Sequence, residues 1–349
     1  MRRAKGEGSV TQRKDGLWQA SIQINGVRKT VYGKTRKEAV EKLEAVKAEA
    51  RANGVLPNPK GRTVGDMLRA HIEANAPKWK LRTLHDWQVT VERYFKSLQD
   101  MPLSKLEPAV VQKLITEYVA SGKNGTALRI YRTISAACKT AVRYGWLANN
   151  PCDRVEPPRY QPKRKIMWSV SELRIFLESA REHRMFPLWF TAICSGARLG
   201  ELLALTWADI SVEGNAIQIN KARQRINGKW IITEPKTARS NRIVVVPQAV
   251  IEAIQETTAS AKQWKERVFP WCHERVEKEL KEECDRLGLP RITPHGLRHL
   301  HASLLLAQGL ALPEVSERLG HSSPAITMQV YAHALRQDRA VEAIERVLS

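Results

Sequence analysis

Two proline-containing linkers divide this sequence into three segments, and that division constrains the fold more than any other feature. The linkers are "VLPNPKGR", residues 55–62, and "EPPRYQPKRK", residues 156–165. Proline fixes the backbone and removes a hydrogen-bond donor, so such stretches interrupt helices and strands. A chain of 349 residues is also long enough for two or three domains. We therefore predict domains at residues 1–55, 62–155 and 163–349.

The first segment alternates between apolar and polar residues, as a strand with one buried face does. Turn signals flank "LWQASIQI", and "VRKTVYG" reads as a further strand. Thr35 and Glu38 can open the helix that follows as a capping box. The segment thus predicts a three-stranded sheet and one helix. The apolar face carries Trp18, Ala20, Ile22 and Ile24.

The other face of this predicted sheet is polar and basic. Such a sheet can enter the major groove of DNA, and an ordinary solvated face accounts for the pattern equally well. Under the first interpretation the residues that contact DNA are Gln19, Ser21, Gln23, Arg28 and Lys29.

The second segment has a helical hydrophobic pattern from Thr63 to about Asn150. Its helices would pack as a compact bundle. Most of its basic side chains are expected to be solvated, and a minority to touch phosphate, with Lys80 and Arg82 as the candidates. The predicted helices are Val64–Asn75, Thr83–Leu98, Pro108–Ser121 and Thr126–Tyr144.

The third segment is mixed. "LWFTAICSGARLGELLALTWADI" predicts an apolar helix–turn–helix, short strands surround the turns "NGK" and "KTARS", and "ITPHGLRHLHASLLLAQG" predicts a helix. The fold class is therefore multidomain α+β. It combines a small three-stranded sheet plus helix, a helical bundle, and a mixed, mainly helical domain with a small sheet.

The charge of the chain favours a polyanionic partner. Lys and Arg number 57 against 36 acidic residues, a net charge of +21. Neutralising phosphates releases counterions and adds affinity, although ribosomal RNA or an anionic membrane surface fits the same charge. No apolar run reaches the roughly 20 residues of a membrane span. The five cysteines show no CxxC pair, so we expect reduced thiols, no metal site and a cytoplasmic location.

Basic residues of the third segment have the types that phosphodiester chemistry requires. Two guanidiniums, from Arg198 and Arg298, can fork onto the non-bridging oxygens of one phosphate and stabilise its growing charge. His295 lies three residues before Arg298, on the same helix face, and can relay a proton. Lys236, in the turn "EPKTARS", can protonate a leaving 5′-oxygen.

The stretch "LGHSSPAITMQVYAH" adds the two remaining candidates. His321 can donate a hydrogen bond to the phosphate, and Tyr331, ten residues later, can attack it to form a phosphotyrosine. Each candidate has an ordinary alternative: a core tyrosine, a helix-start histidine, a hairpin lysine or a salt-bridged arginine. Their order and local contexts favour the joint interpretation.

These motifs resemble the tyrosine recombinase family, of phage-integrase type. The resemblance rests on "GARLGEL", the "KT" hairpin lysine, "PHGLRHLHAS" and "LGHSS" with its following tyrosine. It implies an active enzyme whose catalytic residues, in order, are Arg198, Lys236, His295, Arg298, His321 and Tyr331. Glu201 matches the family's acidic supporting position. Lys221 and Lys229 lie in the same strand region, but "TEPKTARSNRIVVVP" looks like the family's form and favours Lys236.

The resemblance also implies roles for all three segments. Residues 62–155 look like a core-binding domain that closes around duplex DNA with the catalytic domain, residues 163–349. Residues 1–55 are similar to an arm-binding domain, which favours an integrase of a mobile element that uses core-type and arm-type sites. Arg239 and Arg242 would add DNA contacts near the catalytic lysine.

The implied reaction is site-specific recombination through a 3′-phosphotyrosine, without metal or cofactor, because the arginines supply the positive charge. The implied assembly is a homotetramer on double-stranded DNA in a bacterial host, with a host DNA-bending protein and an excision factor as further partners. The tail helix would dock on a neighbouring protomer or cap its own domain. Two alternatives stay open: a type IB topoisomerase and a non-enzymatic DNA-binding repressor.

Overall fold

A computed structural model describes residues 9–24, 27–53, 61–161, 167–233, 241–260 and 266–321, with residues 323, 325 and 328. For residues 23–24, 27, 49–53 and 257–260 only the backbone is described. The chain divides into two compact units, residues 1–162 and 163–349. The second unit begins where the third predicted segment begins.

The first unit opens with an antiparallel sheet of β1 (Ser9–Gln12), β2 (Trp18–Ile24) and β3 (Val27–Gly33), in that order, followed by α1 (Arg36–Asn53). The predicted alternation seats Ala20 and Ile22 against Ala39 and Leu43 of the helix, all of them buried. Thr35 Oγ1 accepts the amide of Glu38 at 3.2 Å, so a side-chain cap opens α1 as predicted.

The rest of the first unit is a bundle of four helices, and Met67, Ile115, Ile130 and Ile134 lie in its core. The capping box of Thr63 and Asp66 opens the first helix at the predicted residue. The predicted end of the second helix was wrong, because the backbone leaves the helical conformation at the buried Phe95. The helices are α2 (Val64–Asn75), α3 (Leu81–Tyr94), α4 (Pro108–Ala120) and α5 (Asn124–Arg143).

The second unit surrounds small sheets with helices. The strands are β4 (Ile210–Ser211), β5 (Ala216–Ile219), β6 (Ala222–Ile226), β7 (Lys229–Thr233) and β8 (Arg242–Val245). One sheet has the order β4-β5-β8, and β6 and β7 form a hairpin. Positive φ angles of 50° at Asn227 and 75° at Gly228 give that hairpin the turn its "NG" predicts.

The helices of the second unit place the functional residues. Helix α11 packs against α7, and α12 packs against α11. Trp189 of α7 and Phe176 of α6 lie in the same core. The helices are α6 (Val170–Ser179), α7 (Phe186–Ser195), α8 (Leu199–Leu202), α9 (Gln248–Ser260), α10 (His273–Arg286), α11 (Pro294–Ala307) and α12 (Leu312–Leu319).

One predicted helix is much shorter than its apolar run. After Arg198 the chain makes a single helical turn, α8, and then a turn through Leu203 and Leu205, which are both buried. An apolar stretch that is covered on every side has no amphipathic period, so its sequence cannot separate helix from buried turn. Within the described residues, every helix is too short or too polar to cross a membrane.

Candidate active site

Gly196 ends α7 and turns the chain toward the candidate phosphate-binding residues. Its φ is 63°, in the left-handed region that favours glycine. A Cβ at this position would lie 2.5 Å from Cδ2 of His301 and 2.8 Å from Cδ2 of Leu319. The close approach of α7, α11 and α12 at this corner therefore requires glycine.

Arg198 follows this turn and caps α8. Its backbone N–H donates to Oε2 of Glu201 at 2.9 Å, and its Nη1 donates to Oε1 at 2.8 Å. Its side chain is 41% exposed, whereas that of Glu201 is 7% exposed. Burial raises the pKa of Glu201, but the charges and hydrogen bonds of Arg242 and Arg198 outweigh it and leave the pKa below its usual value. Glu201 therefore orients Arg198 as a carboxylate.

Arg298 is almost completely buried on α11. Its Nη1 donates to the carbonyl of Gly196 and its Nη2 to that of Leu319, both at 2.7 Å. A guanidinium can never shed its charge in a protein, so burial without such acceptors would be very costly. These two carbonyls, one at the end of α7 and one at the end of α12, thus fix the plane of the Arg298 guanidinium.

The two histidines stand at opposite helix ends. His295 is exposed in the first turn of α11 and meets the ring of His299 edge-on, with the ring centroids 4.5 Å apart. His321 directly follows Gly320, the left-handed C-cap of α12, and its backbone N–H donates to the carbonyl of Ser316 at 3.0 Å. The Schellman-like end of α12 therefore fixes the backbone of His321 and, with it, the position from which its side chain extends.

The electrostatics of His321 show that the predicted basic residues share one site. Burial, followed by the positive charges of Arg298, Arg198 and Arg242, lowers the pKa of His321 to about 4. The ring is therefore neutral at pH 7 and carries one N–H donor and one acceptor. The structure thus brings together four of the six predicted catalytic residues: Arg198, His295, Arg298 and His321.

The other two catalytic candidates, Lys236 and Tyr331, lie outside the described residues, as do Arg239 and the side chain of Gln23. The surroundings of Lys221 and Lys229, the two other lysines of this strand region, bear on which lysine is catalytic. Nζ of Lys221 lies 2.6 Å from a carboxylate oxygen of Asp209 and donates to Thr206, so this lysine is engaged in a structural pair. Lys229 is exposed at the end of the β6–β7 hairpin.

Two residues that were predicted to contact DNA, Arg242 and Ser21, have side chains with little exposure to solvent. Arg242 was expected at the DNA surface, but its side chain is 7% exposed and its Nη2 donates to Glu201 at 2.9 Å. The alternation of "RIVVV" places it on the same strand face as the buried Val244, which is the signal that the prediction missed. Ser21 is also buried, and its hydroxyl bonds to that of Ser9 and accepts from Arg28.

The remaining predicted contacts are accessible. Arg28 and Lys80 are exposed, and Gln19 and Lys29 are half-buried on the small sheet. Arg82 is exposed at the start of α3 and pairs with Asp86 at 3.0 Å. Each of these side chains can reach a solvent-borne polyanion.

A groove between α3 and α5 lies next to Lys80 and Arg82, and the sequence interpretation did not identify it. Trp87 lines it from α3, and Arg129 and Arg132 line it from α5. Tyr160 also lines the groove, and its ring would lie 3.3 Å from a Cβ added at Gly125. Helical spacing within α5 puts Arg129 and Arg132 on one face, and this signal is readable from the sequence. Among the described residues no cluster of His, Cys, Asp and Glu could hold a metal ion.

Comparisons with known proteins identify the family. The phage integrase family model matches residues 175–338, and the phage integrase central domain model matches residues 64–157. The chain belongs to the phage integrase family of tyrosine recombinases. It is accordingly a site-specific DNA recombinase, an enzyme that breaks and rejoins DNA strands.

Two relatives match over nearly the whole chain. A tyrosine recombinase XerC-like protein of Caldanaerobacter subterraneus subsp. tengcongensis is 28% identical, over 91% of each chain. The ICEBs1 integrase of Bacillus subtilis is 26% identical, over 93% of this chain and 95% of its own.

Solved structures share the fold. The Tn1549 transposon integrase in complex with transposon right end DNA matches with a TM-score of 0.70 and 20% identity, over 82% of this chain and all of that one. A lambda integrase tetramer bound to a Holliday junction matches with a TM-score of 0.61 and 18% identity, over 97% and 98% of the two chains.

Proposed function

We propose that Tyr331 is the nucleophile of this recombinase and that Arg198, Arg298, His295 and His321 surround the phosphate it attacks. The phenolic oxygen of Tyr331 forms a bond to phosphorus, the bond from phosphorus to the 5′-oxygen breaks, and the DNA remains attached through its 3′-phosphate. The proton of Tyr331 passes to His295. Lys236 gives a proton to the leaving 5′-oxygen.

The observation that carries this proposal is the convergence of two arginines and a neutral histidine at the end of α12. The positive charges of Arg198 and Arg298 already lower the pKa of His321. Any phosphate held by both guanidiniums would have its developing charge neutralised in the transition state. Neutral His321 can add one hydrogen bond without adding charge.

The covalent intermediate keeps the bond energy of the phosphodiester. Attack by a 5′-hydroxyl from a second duplex then releases Tyr331 and joins the strands, with no need for ATP. Because a lambda integrase structure is a tetramer on a Holliday junction, we infer a homotetramer here too. Two protomers would cleave while two hold DNA, as integration or excision of a mobile element in a bacterial cell requires.

The first unit supplies the DNA-binding surfaces in this proposal. The α3–α5 groove would follow the DNA backbone of a core-type site, with Arg129 and Arg132 on phosphates and Trp87 against sugar or base. The sheet at residues 9–33 would bind an arm-type site. A host DNA-bending protein and an excision factor would bring the two kinds of site together.

The test is a suicide DNA substrate, nicked beside the core site of the element that encodes this protein. The wild-type enzyme should form an adduct that survives a denaturing gel and is linked through the 3′-phosphate. Tyr331→Phe should bind the same site and form none. Tyr144→Phe removes an exposed hydroxyl elsewhere and should behave as wild type.

Two outcomes would each refute a part of the proposal. An adduct that persists in Tyr331→Phe would assign the nucleophile to another residue. Relaxation of supercoiled DNA without any recombinant product would refute the exchange of strands between two duplexes, although Tyr331 would remain the nucleophile.

A further inference from the structure

The end of α12 is held by three arginines that come from three other elements. Nε of Arg242 donates to the carbonyl of Arg318 at 2.8 Å. Nη2 of Arg298 donates to the carbonyl of Leu319 at 2.7 Å, and Nη2 of Arg198 to that of Gly320 at 3.4 Å. The last carbonyls of a helix lack partners within the helix and carry partial negative charge. Three consecutive carbonyls thus receive three guanidiniums, immediately before His321.

Arg242 differs from Arg198 in its exposure and from Arg298 in having a carboxylate as its second partner. Its side chain is 7% exposed, whereas that of Arg198 is 41% exposed. Its Nη2 donates to Oε2 of Glu201, whose other oxygen accepts from Arg198. Arg242 therefore turns away from solvent and bridges two groups of the site: the carboxylate that orients Arg198, and the helix end that carries His321.

The charge balance of this cluster gives Arg242 a consequence for catalysis. Glu201 is a single buried anion between two cations. With Arg242 in place, the trio of Arg198, Glu201 and Arg242 keeps one net positive charge, and the exposed member of the trio is Arg198. Without Arg242, the Arg198–Glu201 pair would be neutral, and its attraction for a phosphate would fall.

We propose that Arg242 is a positioning residue for strand cleavage: it neutralises Glu201 and holds the end of α12, so that Arg198 and His321 meet the scissile phosphate with their full charge and in fixed places. Arg242 does not touch DNA. This inference rests on the proposed roles of Arg198 and His321, and it replaces the expectation that Arg242 contacts DNA directly.

The experiment measures single-turnover cleavage of the suicide substrate at saturating DNA, together with DNA affinity. Arg242→Met should slow cleavage about 100-fold while the DNA dissociation constant changes by less than about threefold. Arg242→Lys keeps the charge but cannot span both acceptors as a planar fork does, so it should slow cleavage about tenfold. Arg291→Met is the control, because Arg291 pairs with Asp285 on the surface of the same unit.

A double variant separates positioning from simple support of the fold. In Arg242→Met the carboxylate of Glu201 is compensated by Arg198 alone and cancels the charge that Arg198 offers to a phosphate, so adding Glu201→Gln should recover about tenfold in cleavage rate. If Arg242 only supports the fold, Arg242→Lys and Arg242→Met slow cleavage equally and Glu201→Gln recovers nothing. If Arg242 binds a DNA phosphate, the dissociation constant rises, its salt dependence weakens by about one phosphate, and cleavage at saturation is unchanged. Either result overturns the proposal.

A readout without chemistry keeps this inference separate from the proposed nucleophile. The wild-type adduct and its loss in Tyr331→Phe report on the nucleophile alone. In the free protein, Arg242→Met should raise the pKa of His321, because it removes one of the positive charges that now lower that pKa. NMR of the His321 ring measures this pKa. Arg291→Met should leave the titration of His321 as in wild type. An unchanged His321 in Arg242→Met refutes the proposal even if no substrate is cleaved.

Discussion

At the scale of single residues, the site is built by satisfying backbone carbonyls with charged side chains. Each guanidinium carries five N–H donors in a rigid fork. Arg298 uses two of its nitrogens on the carbonyls of Gly196 and Leu319, and this fixes the orientation in which it meets a phosphate. The arrangement exists before substrate arrives, so little reorganisation is required when charge develops in the transition state.

Gly196→Ala should lower the free energy of unfolding by about 3 kcal/mol. The left-handed conformation itself costs an L-residue 1–2 kcal/mol, roughly, and the new Cβ would overlap His301 and Leu319. Urea unfolding measures the loss. The control is Gly288→Ala, with φ +65° and nothing within 4 Å of the added Cβ, which should cost only the conformational part. Equal losses in both variants would contradict the close packing at Gly196.

His321 should titrate far below an ordinary histidine in the free protein and return toward it on DNA. Its pKa is lowered to about 4 by burial and by nearby arginine charges. A phosphate held by those arginines cancels much of their effect, so the pKa should rise when a core site binds. NMR of the His321 ring in Tyr331→Phe, which cannot cleave, measures both states. A pKa that stays unchanged on DNA binding would place the phosphate away from His321.

At the scale of elements, α7, α11 and α12 are locked together through His301. Its Nδ1 lies 2.8 Å from the carbonyl of Ile193, and its Nε2 accepts from Nε of Arg318 at 3.2 Å. Arg318 also donates to the carbonyls of Cys194 and Val245, so it ties α12 to β8 as well. This network of hydrogen bonds requires a neutral His301, because both ring nitrogens are already engaged and Nε2 faces a cation.

Acid should therefore weaken the contacts among α7, α11 and α12 and lower the free energy of unfolding. Burial, and then the charge of Arg318, lowers the pKa of His301 to about 4 in the folded state. The unfolded chain binds the proton near pH 6.5, so it binds more protons than the folded state between pH 6.5 and 4. Stability should be fully present above pH 6.5 and fall by about 3 kcal/mol as the pH drops to 4. Urea unfolding across this range measures the slope. His301→Gln should remove the share that His301 contributes and leave the share of His321, whose pKa is also lowered to about 4.

The elements also show how far the sequence could predict this fold and site. Helix α2 and the sheet of β1, β2 and β3 follow from a cap and a period of two, which are local properties of the chain. Arg198, His295, Arg298 and His321 were identified from motifs, and the structure brings them together. The role of Arg242 could not be predicted, because its partners Glu201 and Arg318 are distant in sequence. The period of two in "RIVVV" could have indicated that Arg242 is buried, but its two partners are set by tertiary contacts, whereas a motif is local.

At the scale of the whole molecule, the net charge of +21 serves two separable purposes. Some cations are neutralised inside the protein, as Arg242 is by Glu201 and a carbonyl and Arg318 is by carbonyls. Others lie on the surface and can release counterions from DNA. Only the second kind contributes to the salt dependence of binding, so net charge overstates the number of phosphates that the protein neutralises.

The α3–α5 groove allows that distinction to be measured. Replacing Arg129 and Arg132 together by Gln should weaken binding to a core site and reduce the slope of log K against log salt by about two, roughly 0.9 for each phosphate that is no longer neutralised. Fluorescence anisotropy between low and moderate salt gives the slope. The matched control is Arg69→Gln, because Arg69 is an exposed arginine of the same bundle that pairs with Asp66.

The control should leave the slope unchanged even though it alters the net charge. A slope that fell half as much in Arg69→Gln, in proportion to the one charge removed, would mean that binding follows the total charge of the unit and does not depend on the groove. A slope that stayed constant when Arg129 and Arg132 are replaced would move the DNA backbone to another face of the bundle. The α3–α5 groove would then need a different ligand to explain why Trp87 and two arginines line it together.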